Sequence, residues 1–135
     1  MPDSAGAGAA AAQSGASAVL DPEALQRLRE LDPTGASKLL TRVVNAFTGS
    51  TGRLLSQLQA ARAGPDLTAV RHVAHTLKSS SSSVGAVKLS LLCAEMEALA
   101  REGRSDGLED AIAALCLEVP VVLDALKSLL DDNPP

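Results

Sequence analysis

A histidine and a lysine lie one helical turn apart in a stretch that otherwise carries small residues. The stretch, residues 74–86, reads AHTLKSSSSSVGA. On a helix, His75 lies about 160° around the axis from Leu77, the centre of the apolar stripe, so its imidazole should face solvent. Lys78 shares that outward face. An exposed imidazole beside an ammonium group suits the acceptance and onward transfer of a phosphoryl group, whose negative charge the lysine can offset.

The residues around His75 distinguish this reading from an ordinary solvated histidine. A solvated helix face normally carries Glu, Lys, Arg and Gln, which favour helix formation more than serine does. Five consecutive serines lower helix propensity in mid-helix, and what they provide is clearance around the imidazole. We therefore predict a docking surface for another protein around His75, formed by Arg71, His72, Ser79, Ser82 and Gly85.

From His75 to Gly103 the chain reads H-T-L-K-S-S-S-S-S-V-G-A-x-x-L-x-x-L-C-x-x-M-E-x-x-x-R-x-G. This pattern resembles the histidine phosphotransfer (HPt) domains of bacterial phosphorelays. The resemblance implies that His75 is the phosphoacceptor and that Lys78 supports the phosphoryl group. It also implies that Glu97 stands where the family commonly has a Gln that bonds and orients the imidazole. Ser79 stands where the family more often has Gly.

Other site chemistries find less support in the sequence. His72 and His75 have a spacing that metal ligands use on helices, but no third ligand is evident near them, so no metal site is predicted. The chain has no Gly-rich phosphate loop and no recognisable nucleotide-binding segment, and we expect it to need no cofactor. The resemblance implies instead that a partner receiver domain supplies the metal and most of the catalytic groups.

Composition restricts the class of protein. The 135 residues are one domain's length, and the formal net charge is -4. Without a basic cluster, nucleic-acid binding is not expected. Apolar runs are far shorter than the roughly 18 residues of a membrane span, and no secretory signal is evident, so we expect a cytoplasmic protein without membrane insertion. Cys93 and Cys116 fall beside apolar helix positions and are expected to be buried free thiols.

Apolar residues recur with a period near 3.6 along most of the chain, which predicts helices. Turn residues separate them, notably Asp32-Pro33-Thr34-Gly35, Gly64-Pro65, Gly85 and Gly103. The predicted bounds are about 22–31, 36–63, 66–84, 86–102 and 105–130. Gly49 and Gly52 weaken the second helix, where a bend is expected, and Pro120 should kink the last one.

These elements predict an all-α fold: an antiparallel up-down-up-down four-helix bundle with a short extra N-terminal helix across one end. The bundle should span residues 19–131. Residues 1–18, almost all Ala, Gly and Ser, are predicted to be a disordered tail or linker, and residues 132–135 a C-terminal tail.

The functional hypothesis is a histidine phosphotransfer protein. His75 would accept a phosphoryl group from a receiver-domain aspartate, including one in a hybrid sensor histidine kinase, and pass it to another receiver aspartate. We expect the protein to act as a monomer. A non-catalytic helical adaptor is the alternative. The dimerisation domain of a sensor kinase is disfavoured because one chain already supplies four long helices.

Overall fold

The computed structural model describes residues 19–64 and 66–132. This part of the chain contains no strand and forms five helices: α1, Pro22–Leu31; α2, Leu39–Ala63; α3, Leu67–Ser83; α4, Val87–Arg101; and α5, Leu108–Asp132. The predicted all-α class is confirmed. The tail predicted for residues 1–18 lies outside the described residues, as do residues 133–135 of the predicted C-terminal tail.

Helices α2 to α5 form the predicted four-helix bundle. Each packs against the next along the chain, and α5 returns to pack against α2. One apolar face of each helix fills the interior with aliphatic side chains and the single aromatic residue, Phe47. The largest fully buried apolar side chains are Leu20, Leu58, Leu77, Leu89, Met96, Ile112, Leu115 and Leu126.

Helix α1 lies against the turn between α3 and α4. Asp21 caps α1 by accepting a hydrogen bond from the backbone N–H of Glu23, and Pro22 occupies the first turn. The backbone N–H of Asp21 donates to the carbonyl of Gly85 over 2.7 Å. Leu25 and Ala24 are buried, whereas Leu28 is half-buried. The short helix therefore closes the end of the bundle where α3 turns into α4.

Two long helices begin three residues later than predicted. The carboxylate of Asp32 accepts hydrogen bonds from the backbone N–H groups of Ser37 and Leu39, so the turn continues to Lys38 before α2 begins. Lys38 itself has a left-handed φ of 53°. Helix α5 starts after Gly107, whose φ of 80° breaks the helical geometry.

Glycine and proline commonly interrupt helices, but those inside α2 and α5 do not end these two helices. Helix α2 is continuous through Gly49 and Gly52, both on its exposed face, and α5 is continuous through Pro120, which is also exposed. At these positions the lost helix propensity is offset by the apolar face packed opposite, since tertiary contacts commonly override propensity.

Both cysteines are free thiols, as predicted, but their environments differ. Cys93 is buried and Cys116 only half-buried. Burial raises the pKa of the Cys93 thiol to about 12, so this thiol stays protonated at neutral pH. None of the described helices is long and apolar enough to cross a membrane.

Candidate functional site

His75 projects from the middle of α3 because the helix buries its opposite face. Asp66 caps the start of α3 by accepting from the backbone N–H of Ala69. Val73, Ala74 and Leu77 are packed in the core. With these three residues inward, the side chain of His75 is 67% exposed. The imidazole of His75 therefore faces outward, as predicted.

Glu97 reaches His75 from the neighbouring helix α4. Its Oε2 lies 2.9 Å from His75 Nδ1, while its own side chain is only 10% exposed. Burial of Cys93, Met96 and Ala100 sets the rotation of α4 and places Glu97 at the seam with α3. An ionised carboxylate can only accept hydrogen bonds, so Nδ1 carries the proton. In the neutral ring, the lone pair then lies on Nε2.

Lys78 binds the other oxygen of the same carboxylate. Its Nζ lies 2.5 Å from Glu97 Oε1, and its side chain is 35% exposed. The hydrogen bond from Lys78 is the largest influence on Glu97 and lowers the pKa of its carboxyl group, with a further lowering by His75. Burial acts in the opposite direction without reversing the result. Glu97 is therefore a carboxylate at neutral pH and forms a bridge between imidazole and ammonium.

Serines shape the seam between α3 and α4 beside this bridge. Ser79 and Ser82 are both exposed, and the Ser82 hydroxyl lies 2.8 Å from the Ser90 hydroxyl of α4. The Ser90 hydroxyl is also 3.3 Å from the Lys78 carbonyl oxygen, to which it can donate. Ser90 was not among the residues predicted from sequence. A serine at a helix position otherwise suited to Lys or Glu was the only signal that could have pointed to it.

The remaining serines of the run bond to their own helix or are buried. Ser80 donates to the carbonyl of Thr76 and Ser83 to that of Ser79, each one turn back on the helix. Ser81 is fully buried, and its hydroxyl has no hydrogen-bond partner in the part of the chain that the structure describes. No long side chain rises from residues 79–83, so the surface on this side of His75 stays low.

The structure brings together most of the sequence-predicted site residues. His75, Lys78 and Glu97 are in direct contact. Arg71 and His72 are exposed, each within one turn of His75 on α3. Among the described residues, no group of three His, Cys, Asp or Glu side chains is arranged to hold a metal ion.

Gly85 is placed differently from the prediction that put it on the docking surface. It is buried in the turn after α3 with a φ of 79°. A Cβ added there would approach the backbone N and O of Asp21 to 3.0 Å. Contact with α1 therefore covers Gly85, and its place is in the end of the bundle rather than on its surface.

Comparison with known proteins connects this arrangement to a family. The sequence pattern of the Hpt domain matches residues 42–132, a segment that contains α3, α4 and the three residues of the bridge. No curated protein matches the chain significantly.

Three solved structures share the architecture. Histidine-containing phosphotransfer protein B from Pseudomonas aeruginosa is 28% identical, with a TM-score of 0.77, covering 86% of this chain and 97% of that one. A histidine-containing phosphotransfer protein from maize is 30% identical, with a TM-score of 0.72 and 86% of each chain covered. A rice protein is 24% identical, with a TM-score of 0.73, covering 84% of this chain and 82% of that one; at this identity the likeness concerns the fold alone.

Proposed function

Because this chain belongs to the Hpt domain family, and so serves as a phosphoryl carrier in a phosphorelay, we propose that His75 is the residue that carries the phosphoryl group. The observation that supports this most strongly is the pairing of an exposed imidazole with a mostly buried carboxylate at Nδ1. The second histidine, His72, is also exposed but lies one turn before His75. Among the described residues, the side-chain hydrogen bonds of Glu97 go to His75 and Lys78. The partners are receiver domains that hold the phosphoryl group on an aspartate.

The transfer uses the lone pair of His75 Nε2. This nitrogen attacks the phosphorus of the aspartyl phosphate, the N–P bond forms, and the P–O bond to the aspartate breaks. The electron pair leaves with the aspartate, which becomes a carboxylate. The imidazole keeps its Nδ1 proton and becomes positively charged. Attack by an aspartate of a second receiver, or return to the first, runs the same exchange in reverse.

Two neighbours assist this exchange. Glu97 accepts the Nδ1–H hydrogen bond over 2.9 Å, which fixes the tautomer and lies next to the positive charge that develops on the ring. Lys78 lies one turn after His75 and supplies an ammonium group close enough to offset the phosphoryl charge. Phosphoryl transfer depends mainly on such positioning and charge stabilisation.

The docking surface in this proposal is the low face around His75. Ser79 and Ser82 give clearance on one side, and Arg71 and His72 border it on the other; all four are exposed. Gly85 is left out because it is buried. We further propose that the protein acts as a cytoplasmic monomer that does not bind nucleic acid. The net charge of -4 supports the last point, and the two free thiols suit a reducing compartment.

The test is to incubate the protein with a purified receiver domain that has been charged with radiolabelled acetyl phosphate. We expect an acid-labile, base-stable label on the wild type and on His72→Gln, and none on His75→Gln, with all three equally helical by circular dichroism. Label that persists in His75→Gln would refute the assignment. Binding of the receiver without any label on the wild type would identify an adaptor instead.

A further inference from the structure

The carboxylate of Glu97 contacts both His75 and Lys78, and the charges around it change when His75 is phosphorylated. Its Oε2 binds the imidazole of His75 and its Oε1 binds the ammonium of Lys78. We infer that this carboxylate biases the protein towards giving up its phosphoryl group, because it competes with the phosphohistidine for Lys78 and repels the phosphoryl charge. This inference rests on the proposed function of His75.

The charges of the bridge balance before transfer. In the form of the site that attacks, Glu97 carries one negative charge and Lys78 one positive charge, and the imidazole is neutral because its Nε2 lone pair has to be free. Since Lys78 already uses one of its three N–H donors on Glu97 over 2.5 Å, an incoming phosphoryl group has to share the ammonium group with this carboxylate.

The charges no longer balance after transfer. A phosphoryl group brings nearly two negative charges, whereas the imidazolium contributes one positive charge. Two anions, the phosphoryl group and Glu97, then share a single lysine ammonium group. Water screens the carboxylate of Glu97 only weakly, because its side chain is 10% exposed and lies at the seam between two helices. The phosphorylated state of this site therefore carries a repulsion that the unphosphorylated state lacks.

The contact between Glu97 and His75 favours the phosphorylated state, because the carboxylate also stabilises the positively charged ring. A glutamine would keep much of that contact, because its amide oxygen can accept the Nδ1–H bond. It would not hold the ammonium of Lys78 by charge, and it would not repel the phosphoryl group. Glutamine is also the residue that HPt domains commonly have at the position of Glu97. A glutamine does lose the charge assistance of the ring contact, which involves one unit of positive charge. It also removes the repulsion from nearly two units of phosphoryl charge and the competition for Lys78, and this second effect is the larger one.

A carrier with this bias suits a particular place in a relay. Its phosphohistidine is a strong donor, so it accumulates little and passes the group on to a receiver aspartate. The reaction that follows must be an aspartate phosphorylation that removes the group.

The experiment measures how the label divides at equilibrium between the receiver aspartate and His75 of this protein. Labelled receiver is mixed with wild type, Glu97→Gln or Glu95→Gln; Glu95 is an exposed residue of the same helix and serves as the control. A like charge a few ångströms away, partly screened by water, shifts an equilibrium by about tenfold, so we expect Glu97→Gln to raise the ratio of phosphohistidine to phosphoaspartate by about that factor. Glu95→Gln should match the wild type.

Two further variants keep the test decisive. Glu97→Ala removes the negative charge without introducing an amide group, and it should also raise the ratio of phosphohistidine to phosphoaspartate. It replaces Glu97→Gln in the test if the glutamine variant fails to fold. Lys78→Ala should lower the ratio. An unchanged or lower ratio in folded, labelled Glu97 variants would overturn the inference and leave Glu97 an orienting residue only. Absence of label on the wild type itself would instead overturn the proposed function, so the two failures are distinct.

Discussion

At the scale of single residues, the site depends on how three side chains share charge. The resemblance predicted a contact between Glu97 and His75, and the structure has it. The contact between Glu97 and Lys78 was not predicted, because it depends on the rotation of α4 against α3. Sequence spacing orders residues along one helix but does not set that rotation, which follows from the burial of Cys93, Met96 and Ala100.

Lys78 should matter for rate rather than for folding. We expect Lys78→Ala to slow transfer from a receiver by roughly tenfold to a hundredfold, since a hydrogen bond to a charged group contributes about 1.5–3 kcal/mol. Rapid-quench kinetics with labelled receiver would measure this, with a melting curve as the folding control. Transfer at the wild-type rate would reduce Lys78 to a solubilising residue.

Ser79 tests the clearance argument. Ser79→Arg should keep or raise helix propensity and therefore thermal stability, yet place a long side chain one turn from His75 and slow transfer. Ser79→Gly should transfer as well as the wild type or better while losing about 0.5 kcal/mol of stability. Ser56→Arg, at an exposed position on α2, is the matched control. Equal transfer rates for the two arginine variants would contradict the argument.

At the scale of elements, the helices were predictable and their ends less so. The 3.6-residue period of apolar residues and the turn residues between the periodic segments correctly predicted five helices. The late start of α2 follows from Asp32, whose carboxylate reaches two backbone N–H groups beyond the turn. A sequence indicates that such a turn exists, but the reach of one side chain across it depends on the folded path.

Gly85 provides the test at this scale. Both Gly85 and Gly103 have positive φ values, but an added Cβ meets Asp21 and Ala24 only at Gly85; at Gly103 nothing lies within 4 Å. Gly103→Ala should therefore cost about 1–2 kcal/mol from the left-handed backbone alone, and Gly85→Ala clearly more. Urea unfolding of the two variants measures the difference. An equal loss of unfolding free energy in the two variants would show that α1 does not pack closely against the turn at Gly85.

At the scale of the whole molecule, one aliphatic core supports a surface whose chemistry occupies a few residues. The bundle was predictable because four long apolar stripes with short connections leave few other ways to bury them. The burial of Gly85 was not predictable, because it depends on where α1 packs against the turn after α3. That contact joins segments about sixty residues apart in the sequence.

The N-terminal segment offers a prediction about the molecule as a whole. Residues 1–18 contain no Val, Ile, Leu or aromatic residue, so removing them should change neither the melting temperature nor the rate of phosphotransfer. Removing residues 1–25 should lower the melting temperature, because Leu20, Ala24 and Leu25 are buried. A clear fall in either quantity for the shorter truncation would show that the segment packs or docks.

The most direct measurement is NMR of the phosphorylated protein with nitrogen-15 in its histidines. The tautomer held by Glu97 predicts phosphorus coupling to Nε2 of His75, with the proton retained on Nδ1 and the two nitrogens of His72 unchanged. Coupling to Nδ1 of His75, or to either nitrogen of His72, would contradict the account.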